Sequence, residues 1–262
     1  MTDPRWDPGQ YSRFEVERDR AVLDLMLRLP PDLSPREIWD LGCGTGQHAA
    51  ILRRRHPEAS VHGLDSSIDM LEQARAADPL IDWRQGDIAD WTPETPPDLI
   101  LANASLQWLP DHQTLLSRLA GSLAPGGVLA VQMPMAFETR HHSILRAVAA
   151  EGPWASTTAP VRPLQPLLTM QQTYDLLSSV CDEIDLWSTT YLHVLTGEDA
   201  VLEWMKGTAL RPYLTILEAT AWTEAFLSTL ASRLSDAFEQ RADGTTLLPF
   251  PRLFLIARRR RS

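Results

Sequence analysis

The stretch Asp40-Leu41-Gly42-Cys43-Gly44-Thr45-Gly46 decides the fold of this 262-residue chain. Ile38-Trp39 ahead of it opens a short apolar run with the character of a strand, and Gln47 to Arg55 behind it reads as a helix stopped at Pro57. Gly42, Gly44 and Gly46 therefore occupy a strand-to-helix turn, where side chains would obstruct both the backbone path and the close approach of a ligand. The helix that follows begins with unpaired amide hydrogens directed at that ligand.

The order acid-x-Gly-x-Gly-x-Gly, rather than Gly-x-Gly-x-x-Gly, narrows the ligand. Asp40 would repel a pyrophosphate and attract the ammonium of an amino-acid moiety. Nineteen residues beyond Gly46, Asp65 closes the run Val61-His62-Gly63-Leu64, where a carboxylate can accept both hydroxyls of a ribose. The combination resembles the S-adenosylmethionine site of class I methyltransferases. The alternative is a Rossmann-type domain holding a nicotinamide cofactor.

Composition bounds the rest. A chain of this length can bury a sizeable core and suits one domain with an extra lobe. Its formal charge of -10 and pI of about 5.1 set it against a nucleic-acid phosphate backbone. Arg258-Arg259-Arg260-Arg261 reads as a solvated tail. Two cysteines, Cys43 and Cys181, make no disulfide framework, and the latter falls at the end of a predicted helix. Neither a signal peptide nor a membrane span is expected, which points to the cytoplasm.

In chain order, a helix over 10–29 precedes the first strand and forms an N-terminal cover (1–30). Ser66-Ser67-Ile68-Asp69 offers a cap for a helix through Met70, Leu71 and Ala74, and Ile81-Asp82-Trp83-Arg84 reads as the third strand. In Gly86-Asp87-Ile88 the carboxylate suits an adenine amine and Ile88 its ring face. Asp98 to Asn103 gives a fourth strand running into Ala104-Ser105-Leu106-Gln107-Trp108, beside the glycine turn. Trp108 either packs under the next helix or faces the sulfonium with its π cloud. A helix from His112 to Leu123 and a strand over Val128–Met133 complete a regular alternation, so 31–134 is the cofactor-binding core. Strands near 183–194 and 250–257 follow, separated by helical patterns at 198–207 and 220–241. The expected fold is α/β: a Rossmann-like, doubly wound seven-stranded sheet, last strand antiparallel, with a helical lid (195–248) inserted between the last two strands.

The candidate cofactor residues are Asp40, Gly42, Cys43, Gly44, Thr45, Gly46, Asp65, Ser66, Met70, Asp87, Ile88, Asn103, Ala104 and Trp108. No metal is called for. No histidine–acid dyad stands out near them. Arg211, following Gly207-Thr208-Ala209-Leu210 at a break between lid helices, and Arg252, opening the final strand, supply forks that match carboxylates, with Tyr191 and His193 on one face of the sixth strand.

Asn103 to His112, Leu129 to Pro134, Trp187 to His193, Leu210-Arg211-Pro212 and Phe250 to Phe254 resemble segments of the bacterial trans-aconitate 2-methyltransferase family, and the resemblance covers nearly the whole chain. It implies a carboxyl O-methyltransferase that converts a carboxylate of trans-aconitate to its methyl ester and so removes an inhibitor of the citric acid cycle. On that basis Arg211 and Arg252 are expected to hold the carboxylates that are not methylated, with Tyr191, His193, Trp108 and Tyr11 shaping the third. A carboxylate with a reference pKa of about 4 is already ionised at neutral pH, so alignment and desolvation suffice and no catalytic base is required. Other small organic acids or phenols as acceptors, and a catalytically silent cofactor-binding regulator, are the remaining alternatives.

Overall fold

The computed structural model describes residues 15–161 and 165–261. Tyr11, expected near the acceptor, lies outside the described residues. Helix α1 (Glu15–Leu27) leads to β1 (Glu37–Leu41), α2 (Gln47–Arg55), β2 (Ser60–Asp65), α3 (Ile68–Ala77), β3 (Asp82–Gln85), β4 (Leu99–Asn103), α4 (His112–Ser122) and β5 (Val128–Pro134). Then come α5 (Arg140–Ala150), α6 (Ala155–Thr158), α7 (Met170–Leu177), β6 (Cys181–Thr196), α8 (Ala200–Lys206), α9 (Arg211–Leu217), α10 (Thr223–Ala237) and β7 (Thr245–Arg259). The sheet order is β3-β2-β1-β4-β5-β7-β6, and the seven strands with the last antiparallel are as the sequence led us to expect.

Hydrophobic pattern explains the centre of this sheet. In β1, β4 and β5 the residues Ile38, Leu41, Leu99, Ile100, Leu101, Val128, Leu129 and Ala130 are fully buried, as in a parallel sheet covered on both faces. The chain divides into two units. Among the described residues one holds 18–134, 167–189 and 252–261; the other holds 15–17, 135–161, 165–166 and 190–251. The second has its own core around Trp204, Tyr213, Phe226, Leu230 and Phe250, in which Trp154 meets Phe226 edge to face at 5.5 Å and donates to the Val148 carbonyl. His141 and His142 lie in this unit, and burial drives their pKa values down to about 3 and about 4, so both stay neutral.

Three sequence expectations are corrected. Cys181 opens β6 rather than ending a helix. Leu210-Arg211-Pro212, taken as a break, begins α9, because proline in the first turn gives up an amide that has no helical partner anyway. Arg252 sits inside β7, which starts earlier, at Thr245; Pro249 and Pro251 masked the continuity of that strand.

The arginine run is the fourth correction, since it is built into the fold. Arg258 is buried and grips Asp32 with both terminal nitrogens, at 3.0 and 2.6 Å. Arg259 donates to the Leu123 carbonyl, Arg260 to that of Ser178, and Arg261 to Asp32. This run closes the last strand onto the loop after α1 and the end of α4. The Arg258 hydrogen bond holds the Asp32 carboxyl below its ordinary 3.8, so the stabilisation is complete above that pH and fades as acid protonates Asp32. Asp32→Ala, which leaves the buried Arg258 guanidinium short of a partner, should lower the melting temperature by several degrees, whereas removing the 68% exposed Arg261 side chain should barely move it. Thermal unfolding of the two variants at pH 7 checks the asymmetry.

Candidate functional site

The glycine turn is fastened by backbone bonds to the end of β2: the amides of Gly42 and Cys43 both donate to the Leu64 carbonyl, at 2.7 and 3.0 Å. Ser105, just beyond β4, donates its hydroxyl to the Leu41 carbonyl at 2.7 Å. The turn is thus held from both neighbouring strands. Gly46 has φ +83, and a Cβ there would meet the Trp83 ring at 2.3 Å. Gly44 differs: its φ is +54, but a Cβ would find nothing within 4 Å. The outer surface of the turn is open at the residue where a ligand would approach. Gly46 is also the N-cap of α2 and has no side chain to offer it, while the Ala49 amide in the helix's first turn hydrogen-bonds the Asp40 carboxyl.

Asp40 ends up 1% exposed, and its Oδ2 has no hydrogen-bond partner among the described residues. Burial raises its pKa to about 6; His48 opposes that shift and the charge of Asp65 adds to it. His48 Nε2 pairs with Asp19 Oδ1 at 3.2 Å, a histidine–acid pair on the motif helix that sequence spacing gave no sign of. A second such pairing, His62 with Asp82 and Glu37, has its ring stacked on Trp39 at 4.6 Å. Cys43 is buried, with its thiol pKa pushed well above the ordinary value by desolvation, and so is inert packing within the turn.

Asp65 lies where the ribose acceptor was expected. Its Oδ2 accepts the Gly44 amide at 2.8 Å and its Oδ1 the Ser67 amide at 2.9 Å, which fixes the carboxylate. Ser66 follows it directly, Ser67 caps α3, and Met70 in the first turn of that helix is buried. Asp87 is exposed and accepts the Ala89 amide at 2.8 Å; Ile88 beside it is buried. Asn103 ends β4 with a buried Oδ1 that has no partner among the described residues. Ala104 has φ +50, a strained conformation for a residue with a side chain. Trp108 lies on a single 3-10 turn, 43% exposed rather than packed away. The turn under it is pinned by His112, whose Nε2 donates to the Leu106 carbonyl at 2.9 Å.

These residues and Arg252 belong to one compact unit, whereas Tyr191, His193 and Arg211 belong to the other. Within that second unit Tyr191 and His193 are buried, and His193 stacks on Trp204 at 4.5 Å. Sequence reasoning missed Gln132, fully buried in β5, and Gln107, whose Oε1 has no partner among the described residues. The available signal was a lone amide inside the apolar run Val128-Leu129-Ala130-Val131.

A buried carboxylate oxygen unmatched among the described residues, an open glycine and a fixed acidic side chain after β2 suit a ligand with an ammonium and a ribose. Among the described residues no group of three or more His, Cys, Asp or Glu could hold a metal, and no helix is long and apolar enough to cross a membrane.

Comparison with known proteins agrees with this geometry. Residues 38–127 match the family described as "Methyltransferase domain". A trans-aconitate 2-methyltransferase of Methylobacterium nodulans is 47% identical over 98% of this chain and 99% of its own. One from Azoarcus is 46% identical over 97% and 99%, and one from Yersinia pestis 42% over 98% and 99%. Among solved structures, YcgJ of Bacillus subtilis has a TM-score of 0.57 at 14% identity, covering 92% of this chain and 98% of that one. A Haemonchus contortus phosphoethanolamine N-methyltransferase in complex with S-adenosylhomocysteine has 0.54 at 19%, covering 91% and 52%. These structural likenesses bear on the fold alone.

Two outcomes are expected. Gly46→Ala should prevent stable folding, whereas Gly44→Ala should fold with a loss of about 1–2 kcal/mol for the left-handed residue and still weaken S-adenosylmethionine binding; thermal unfolding and calorimetric titration separate the two. The second concerns Asp40. Since its folded-state value of about 6 exceeds the ordinary 3.8, the ligand-free protein takes up the extra proton between those values and loses stability as pH rises through 6. Asp40→Asn should therefore stabilise the ligand-free protein above pH 6. In the unsubstituted protein S-adenosylmethionine affinity should rise as pH passes 6 and fall once the ligand's amine deprotonates near about 8, and Asp40→Asn should weaken it and erase the acid limb.

Proposed function

The chain belongs to the family of trans-aconitate 2-methyltransferases, class I enzymes dependent on S-adenosylmethionine, and on that premise we propose how its residues divide the work. The enzyme methylates a carboxylate of trans-aconitate, giving the monomethyl ester and S-adenosylhomocysteine. The observation that carries this is 47% identity over 98% of the chain and 99% of the relative's own length.

Bound S-adenosylmethionine supplies a methyl group activated on a sulfonium. A carboxylate oxygen of the acceptor forms the new bond to carbon as the bond to sulfur breaks, and no proton changes place. The work left to the chain is holding, orienting and drying. Asp40 receives the ammonium of the methionine moiety, which the unpartnered Oδ2 supports. Asp65, oriented by the Gly44 and Ser67 amides, receives the ribose hydroxyls, and Asp87 with Ile88 takes the adenine. Trp108 offers its ring to the sulfonium end. No side chain is assigned as a base; positioning of this kind can supply on the order of 7–11 kcal/mol of the barrier at its upper end.

For the acceptor, Arg252 binds a carboxylate that is not methylated. Two buried free cysteines suit a reducing cytoplasm, and a net charge of -10 argues against nucleic acid as a partner.

The test is product analysis by mass spectrometry after incubation with methyl-labelled S-adenosylmethionine and a mixture of trans-aconitate, cis-aconitate, citrate and isocitrate. One labelled methyl on trans-aconitate, lost on ester hydrolysis, is the expected result. Labelling of another acid in preference to trans-aconitate would overturn the assignment of acceptor, and absence of any labelled acid would overturn the assignment of reaction.

A further inference from the structure

Gln132 is fully buried in β5, and its Oε1 accepts a hydrogen bond from Arg252 Nη1 at 3.0 Å. A guanidinium can only donate, so this bond settles which end of the amide is oxygen. The Nε2 group is consequently a donor, and among the described residues it has no partner. A buried amide hydrogen left unmatched costs about 1–3 kcal/mol. Gln132 also stands next to a cation whose own side chain is 4% exposed. An unmatched donor backed by a guanidinium in a dry environment is a site for an anion.

Its place in the sheet agrees. Gln132 is the register partner of Asn103 across the parallel pair β4–β5, at the carboxyl ends where open α/β sheets bind ligands. Arg252 enters from β7 opposite Pro134, two residues past Gln132. The amide cannot turn its oxygen outward without breaking the bond to Arg252, so it presents only N–H. It therefore suits a group that brings an acceptor oxygen, a carboxylate among them, and disfavours a cationic donor at that point.

We propose that Gln132 is a specificity-determining residue of the acceptor site, its amide locked by Arg252 so that Nε2 donates to a carboxylate of the acid being methylated. This rests on the reading of the acceptor as a polycarboxylate. The competing use of the same atom is a purely structural bond to the neighbouring Asn103 Oδ1, which also lacks a partner among the described residues.

Gln132→Glu distinguishes them. The variant keeps the shape and the acceptor for Arg252, so it should fold, but it replaces the donor with a negative oxygen. With the unsubstituted enzyme and the variant side by side, KM for trans-aconitate should rise at least tenfold while the calorimetric Kd for S-adenosylmethionine changes less than twofold. Gln132→Leu should raise KM as well, with a lower melting temperature from the lost hydrogen bond of Arg252. An unchanged KM in Gln132→Glu, or an equal loss of cofactor binding, would overturn the proposal. If the unsubstituted enzyme methylates a different acid, the reading of the acceptor fails on its own, and the KM of the variant for that acid decides the role of Gln132. If no acid is methylated, binding of trans-aconitate to the S-adenosylhomocysteine-loaded proteins decides it: tight binding lost in Gln132→Glu supports the role, and equal or absent binding ends it.

Discussion

A carboxylate withdrawn from water with one oxygen left unmatched among the described residues is the constraint on which this structure turns. Asp40, next to last in β1, is 1% exposed, and burial raises its pKa to about 6. Replacing it by an uncharged residue would relieve the ligand-free fold, so its retention makes sense as a group whose cost is offset when a cation arrives. The surrounding turn is arranged for that event. Leu64 accepts the amides of Gly42 and Cys43, Ser105 ties the next strand to Leu41, and Trp83 fills the space behind Gly46. Among the described residues nothing would lie within 4 Å of a Cβ on Gly44, so that side of the turn is open.

Periodicity made most of this fold legible. The turn, the strand ending in Asp65 and the alternation through β5 could be read because apolar runs and glycine spacing are local signals, and α2 coincides with the predicted Gln47 to Arg55. What was not legible depended on partners distant in sequence. Arg258 to Arg261 looked like a solvated run until Asp32, Leu123 and Ser178 were seen beside it. The His48–Asp19 pair joins residues on two helices, and nothing in the spacing marks it. Prolines misled in both directions, hiding the first turn of α9 and the early part of β7. In both places the rule that proline interrupts an element was outweighed by a position at which its missing amide is harmless.

Four of the atoms left unmatched among the described residues lie on or just beyond β1, β4 and β5 and differ in sign. Asp40 Oδ2, Asn103 Oδ1 and Gln107 Oε1 are acceptors, and they cluster at the ends of β1 and β4 and the turn that follows. Gln132 Nε2 is a donor, one strand further on, next to the Arg252 guanidinium. A sheet edge that offers acceptors over β1 and β4 and donors over β5 and β7 has a direction. A zwitterionic cationic cofactor belongs on the first part and an anionic acid on the second. The two ligands of a methyl transfer carry opposite charges at the reacting ends, a sulfonium and a carboxylate, so the same polarity that separates their binding groups brings their reacting ends together.

Such an arrangement also explains why a base would bring no benefit. A proton acceptor strong enough to activate a hydroxyl would itself be a negative or proton-hungry group beside a carboxylate, raising the energy of the ionised acceptor that must react. Donors have the opposite effect. Held by β5 and β7, they keep the acid ionised in a dry environment and fix its oxygen, but a donor that binds the reacting oxygen too strongly would lower its nucleophilicity. The favourable solution is for the strongest donor, the guanidinium, to grip a carboxylate that does not react while a neutral amide meets the substrate more gently. Gln132 standing between Arg252 and the strand end has that gradation built in: its oxygen takes the force of the cation, and its nitrogen passes on a weaker, oriented version of it.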